Sequence, residues 1–133
     1  MKFGTSTLFA VAVTLMWALG TASADEQDQP SYSNKWRVEV SETARSDGTM
    51  LFRVTPKDGT PVEVTVSIKD GRGENNIAKD IRDAFKAALD AKSFHTETDD
   101  GEDVLLKKKK GPDFALVLVE STVEATRLNI EKE

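Results

Sequence analysis

Beyond residue 34 the chain sets apolar and polar residues in alternation over short runs, the period of strands that bury one face. Trp36, Val38 and Val40 alternate with Arg37, Glu39 and Ser41, and Ser46-Asp47-Gly48 marks a turn. Met50, Phe52 and Val54 repeat the pattern as far as Pro56, which has no N–H for a ladder, and Lys57-Asp58-Gly59 reverses the chain. A third strand places Val62, Val64, Val66 and Ile68 on one face and Glu63, Thr65, Ser67 and Lys69 on the other.

After Asp70-Gly71-Arg72-Gly73 the period changes. Ile77, Ile81, Ala84, Phe85, Ala88 and Leu89 recur three and four apart, which predicts an amphipathic helix. Its other face carries Lys79, Asp80, Arg82, Asp83, Lys86 and Asp90, with Lys79/Asp83 and Lys86/Asp90 spaced for ion pairs along the helix. Residues 94–98 and 102–109 flank Asp99-Asp100-Gly101, which predicts a hairpin with Gly101 in the left-handed region. That register sets Thr96 opposite Val104 and Phe94 opposite Leu106. Gly111-Pro112-Asp113 leads to a strand at 114–119, and 123–130 reads as a weaker last strand. The fold class is α+β: an antiparallel sheet of about six strands in the order β-β-β-α-β-β-β, with the Ile77/Ile81/Phe85/Leu89 stripe packed across it.

Residues 66–119 run from a strand through a "DG" loop and a helix containing Ile77-Ala78 and Ile81 to the hairpin "DDGEDV". This order resembles the β-α-β-hairpin module of some phage-tail and flagellar-hook proteins. The likeness spans about half of the chain beyond residue 24 and implies assembly rather than catalysis. The three leading strands have no counterpart in it, and no functional residue carries over.

Ahead of the domain, Met1-Lys2 precedes an apolar stretch at 8–19 and then Ala22-Ser23-Ala24, the three parts of a secretory signal. The stretch is shorter than the roughly 20 residues of a spanning helix. Residues 1–24 are therefore expected to be removed, leaving no stable membrane anchor, and the protein to be periplasmic or secreted. Residues 25–34, DEQDQPSYSN, form a polar lead-in, and 35–133 a single domain large enough for one core. The chain has no cysteine, so neither a disulfide framework nor a lipid-modified cysteine is available. Without the signal, 17 basic residues face 23 acidic ones, a net charge of −6 that argues against general nucleic-acid binding.

Chemistry is sparse. His95, the single histidine, stands two residues from Glu97 on one strand face, which is the minimum for general acid-base work. No nucleophile lies at a recognisable spacing, so a small hydrolase using His95 and Glu97 is the runner-up rather than the leading function, and no catalytic set is predicted. The acidic run Glu97, Asp99, Asp100, Glu102 and Asp103 breaks the calcium-loop pattern and is read as a turn, and no other metal site is expected. Gly71-Arg72-Gly73 fits neither dinucleotide nor P-loop spacing, so no cofactor is expected. Lys107, Lys108, Lys109 and Lys110 would alternate between faces and guard a strand end, with capture of an anionic ligand as a third reading.

The strand at 114–119 is apolar on both sides. Phe114, Leu116 and Leu118 share one face, and Val117 and Val119 point the other way, with Leu105 expected beside Val117. A single helix covers one side of a sheet. The Leu105/Val117/Val119 surface is therefore predicted to be covered by a protein partner, a second copy, a bound apolar ligand or the amino-terminal lead-in, unless the sheet curls into a small sandwich or open barrel. The leading function is a non-catalytic binding or assembly module that uses this surface, with Lys107 and Lys109 flanking it.

Overall fold

Strands and one helix account for most of residues 30–133, which are the residues that the computed structural model describes. The expected signal segment, residues 1–24, and residues 25–29 of the lead-in lie outside the described residues. The elements are β1 (Lys35–Ser41), β2 (Gly48–Pro56), β3 (Val62–Ile68), α1 (Glu74–Ala88), β4 (Phe94–Asp99), β5 (Asp103–Lys108), β6 (Phe114–Ser121) and β7 (Arg127–Lys132). The α+β class holds. The single sheet of about six strands does not, because these seven strands form two antiparallel sheets, of order β4-β5-β1-β7 and β3-β2-β6.

Two connections make the difference. Gly111-Pro112-Asp113 does not fold β6 back onto β5; it carries the chain across to β2, where Lys57 N–H donates to Asp113 O at 2.9 Å. There Phe114, Leu116 and Leu118 come opposite Pro56, Val54 and Phe52. After β6, Ala125 takes a φ of 75° and the last strand starts at Arg127, later than expected, to pair with β1. Four strands follow the helix, matching the four segments read there and one more than the order β-β-β-α-β-β-β counts.

The sheets meet at the start of β1. Ser33 and Phe114 exchange both backbone hydrogen bonds at 2.9 Å, and the buried Trp36 donates from Nε1 to Phe114 O at 2.8 Å. Between the sheets, Val38 and Val40 of β1 and Val104 and Leu106 of β5 share a core with Met50, Phe52, Val54, Val64, Val66 and Ile68. Helix α1 lays Ile77, Ala78, Ile81 and Phe85 into this core, and Phe85 meets Phe52 edge to face with ring centres 5.1 Å apart. That geometry adds roughly 0.5–1.5 kcal/mol to the burial itself. The solvent face differs from expectation, since neither Lys79/Asp83 nor Lys86/Asp90 forms an ion pair. Asp83 binds the adjacent Arg82 at 2.9 Å, and Asp90 accepts from Lys92 N–H at 3.1 Å and the Ser93 hydroxyl at 3.2 Å.

The β4–β5 hairpin also departs in register. It closes at Asp99 opposite Asp103, so the loop is Asp100-Gly101-Glu102, one residue further along, and Thr96 faces Leu106 while Phe94 faces Lys108. Asp100 and Gly101 both take left-handed φ values, 52° and 83°. A slip of two residues preserves the strand period, which is why Thr96, Val104 and Leu106 remain inward.

Candidate functional sites

The residues of the expected apolar surface separate. Leu105 belongs to β5 in the four-stranded sheet, between Glu97 of β4 and Arg37 of β1, and it is only 6% exposed. Val117 and Val119 belong to β6 in the other sheet and are 46% and 42% exposed. Leu105 is thus not part of that surface: the expectation rested on β5 and β6 being neighbours, and they are not. Lys107 and Lys109 do not flank the valines either, since Lys107 lies on β5 in the four-stranded sheet and Lys109 just after it.

On β6 the two valines sit at a sheet edge. Arg53 of β2 lies opposite Val117 and reaches away to Glu63 of β3 at 2.7 Å. The ladder shifts between Leu51 and Phe52, which leaves Val119 as the extra residue of a bulge between Leu118 and Glu120. On the side away from β2, the one bridge between the lead-in and β6 among the described residues is at Phe114, and Pro30, Ser31 and Tyr32 pair with no strand there. Phe114 turns its N–H and C=O to that side, and by the strand period Leu116 and Leu118 do the same.

The outward face of the other sheet is charged. Arg37 there gathers Asp103, Asp99 at 3.2 Å and Glu133 at 2.9 Å. Hydrogen bonding to Glu133 first and Asp103 next pushes the Arg37 pKa up, while the guanidinium holds Glu133 below the usual carboxylate range. Two members of the acidic run are therefore engaged by an arginine, and no group of three metal-ligating side chains occurs among the described residues. The loop at Gly71-Arg72-Gly73 commits its cation too, since Arg72 holds Asp80 through two hydrogen bonds of 2.9 and 2.8 Å.

His95 and Glu97 do come together, with Nε2 and Oε2 3.3 Å apart and both side chains about half exposed. The nearby Ser93 hydroxyl donates to Asp90 instead, and His95 has no other hydrogen-bond partner among the described residues. Of the four lysines, Lys107 lies between His95 and Lys35 on the outward face, and Lys108 is tied to Gly111 O at 2.9 Å and Asp113 at 3.0 Å. Lys109 turns to the helix end and donates to Ala91 O at 3.2 Å.

His95 and Lys109 share one feature that the sequence pattern did not disclose, a cleft of about 260 Å³ between the last turns of α1 and the edge strand β4. Phe85, Leu89, Ala91 and Phe94 give it apolar walls, and Lys86, Lys109, His95 and Thr96 are its polar members. The signal for it was Thr96, a hydroxyl on the inward face of β4, with Lys86 sharing a helix face with Leu89 three residues on.

No helix among the described residues is long and apolar enough to cross a membrane. The chain matches no family model and no curated protein, so the functional reading rests on these geometries.

Proposed function

We propose that this is an exported, non-catalytic assembly module, periplasmic or secreted, in which β6 accepts the β6 strand of a second copy. The observation that carries the reading is the placement of Val117 and Val119, the exposed large hydrophobic residues among those described, on an edge strand. Edge strands left open invite strand addition, and main-chain hydrogen bonds give such pairings their affinity. An antiparallel pairing of two β6 strands centred on Leu118 places Val117 of each copy opposite Val119 of the other, so the surface complements itself about a two-fold axis. Leu118, which is partly exposed, supplies N–H and C=O groups that pair with no strand among the described residues, while Leu116 is buried at 2% exposure. The amino-terminal pattern supports export, and the likeness of residues 66–119 to assembly modules runs in the same direction.

The test is light-scattering mass on a sizing column across a wide concentration range. A concentration-dependent dimer is expected for the parent chain and a monomer for Val117→Glu, with the Trp36 emission of the two alike. A parent chain that stays monomeric at every concentration removes the reading.

A further inference from the structure

We infer that the cleft between the end of α1 and β4 binds a small carboxylate with a compact apolar body. Its volume of about 260 Å³ lies just under the 300–1,000 Å³ of sites for drug-sized ligands, which restricts the body to one ring or a short chain. The walls are fixed in advance. Phe85 is fully buried against Phe52, and Phe94 stands edge to face on Phe114 with ring centres 5.2 Å apart, so little ordering is left for the ligand to impose.

The polar groups ask for an anion. Thr96 is only 4% exposed, lines the cleft, and its hydroxyl has no hydrogen-bond partner among the described residues. Lys86 has no ion-pair partner among them either. Lys109 spends one of its three N–H donors on Ala91 O and keeps two. The neighbouring acids are occupied, since Asp90 is held by Lys92 N–H and Ser93, and Glu97 faces His95. The carbonyls at the end of α1 set about half a negative charge against an anion, and two ammonium groups outweigh it.

A free phosphate would strand oxygens against Phe85 and Phe94, and a neutral apolar molecule would leave the lysines and the Thr96 hydroxyl without partners. A carboxylate meets both demands, with its oxygens toward Lys86, Lys109 and Thr96 and its body on the aromatic walls. This site is independent of β6 and does not rest on the assembly reading.

The experiment is a titration with sodium benzoate, followed by amide nuclear magnetic resonance on isotopically labelled protein purified from cells expressing the whole chain. Saturable shifts are expected at Leu89, Phe94 and Thr96. Benzyl alcohol and inorganic phosphate should each bind roughly tenfold more weakly, the equivalent of one lost charge contact. The double variant Lys86→Gln/Lys109→Gln, changed only at exposed positions, should show the same loss, and Thr96→Val a smaller one. Shifts that do not saturate, or that survive the double variant, overturn the proposal. Val117→Glu should leave the benzoate titration unchanged, so this site and the β6 surface can fail separately.

Discussion

Arg37 of β1 donates through Nη1 to Asp103, the residue that closes the β4–β5 hairpin opposite Asp99. Two carboxylates facing each other across a strand pair repel. Arg37 relieves that by bonding both, and Glu133 adds a third carboxylate to the same guanidinium. Asp103 is only 6% exposed, with Oδ1 lacking a partner among the described residues, so most of the support for its charge comes from Arg37.

Replacing Arg37 by Met should therefore destabilise the domain by about 2 kcal/mol, below the 3–5 kcal/mol of a fully buried pair because Asp99 and Glu133 keep solvent access. Asp103→Asn, which leaves Arg37 two partners, should cost about 1 kcal/mol. Urea unfolding followed by Trp36 emission checks both. A midpoint for Arg37→Met equal to the parent's would show that the cluster is a solvated surface pair.

Acid should weaken the domain through Glu133 and Asp90. Arg37 holds Glu133 below its ordinary value, and the Lys92 N–H, then the Ser93 hydroxyl, does so for Asp90. A carboxyl whose folded pKa lies below its unfolded one contributes stability above the unfolded value, about pH 4, and loses it as pH falls through the folded value. The unfolding midpoint should thus be flat from neutral pH to about 5 and decline below about 4. In Arg37→Met the Glu133 part of that decline should vanish, which a pH series of urea midpoints would reveal.

Local structure was legible in the sequence where one face of an element is buried. Val38, Val64, Ile81 and Phe85 fall where their periodicity put them, and Gly101 takes the left-handed conformation its turn required. Partner choice was not legible. Strand period fixes which way a side chain points and says nothing of which strand lies alongside, so Leu105 and Val117 were placed together although β6 pairs with β2. The two-sided apolar pattern of β6 was readable, because it depends on one strand alone, whereas its place at a sheet edge depends on its neighbours and was not. The cleft was not, because it joins the end of α1 to residues on either side of the hairpin.

Gly48, at the start of β2, marks a close approach that local pattern did not require. A Cβ there would come within 2.9 Å of Thr122 C and Val123 N, which are main-chain atoms and cannot swing away. Thr49 bonds across this contact, its N–H to Thr122 Oγ1 and its O from Thr122 N–H, both at 2.9 Å. Gly48→Ala should force the segment after β6 off β2 and cost about 1–3 kcal/mol. Thermal unfolding measures it, and a melting temperature within a degree or so of the parent's would mean that the segment shifts freely.

Leu105 and Val117 should now respond in opposite ways. Leu105 points outward among Arg37, Glu97 and their charged neighbours, yet it is nearly fully buried, so those side chains must lay their aliphatic stems over it. Leu105→Ala removes that contact at a site whose flexible cover can collapse, and should destabilise by about 1–2 kcal/mol, below the usual range for a rigid core. It should leave the mass in solution unchanged. Val117→Ala trims a side chain that is 46% exposed, so it should hardly alter unfolding but weaken dimer formation. Measuring unfolding midpoint and light-scattering mass on both variants separates packing from association. A dimer lost with Leu105→Ala and kept with Val117→Ala would move the interface from β6 to the charged face of the four-stranded sheet.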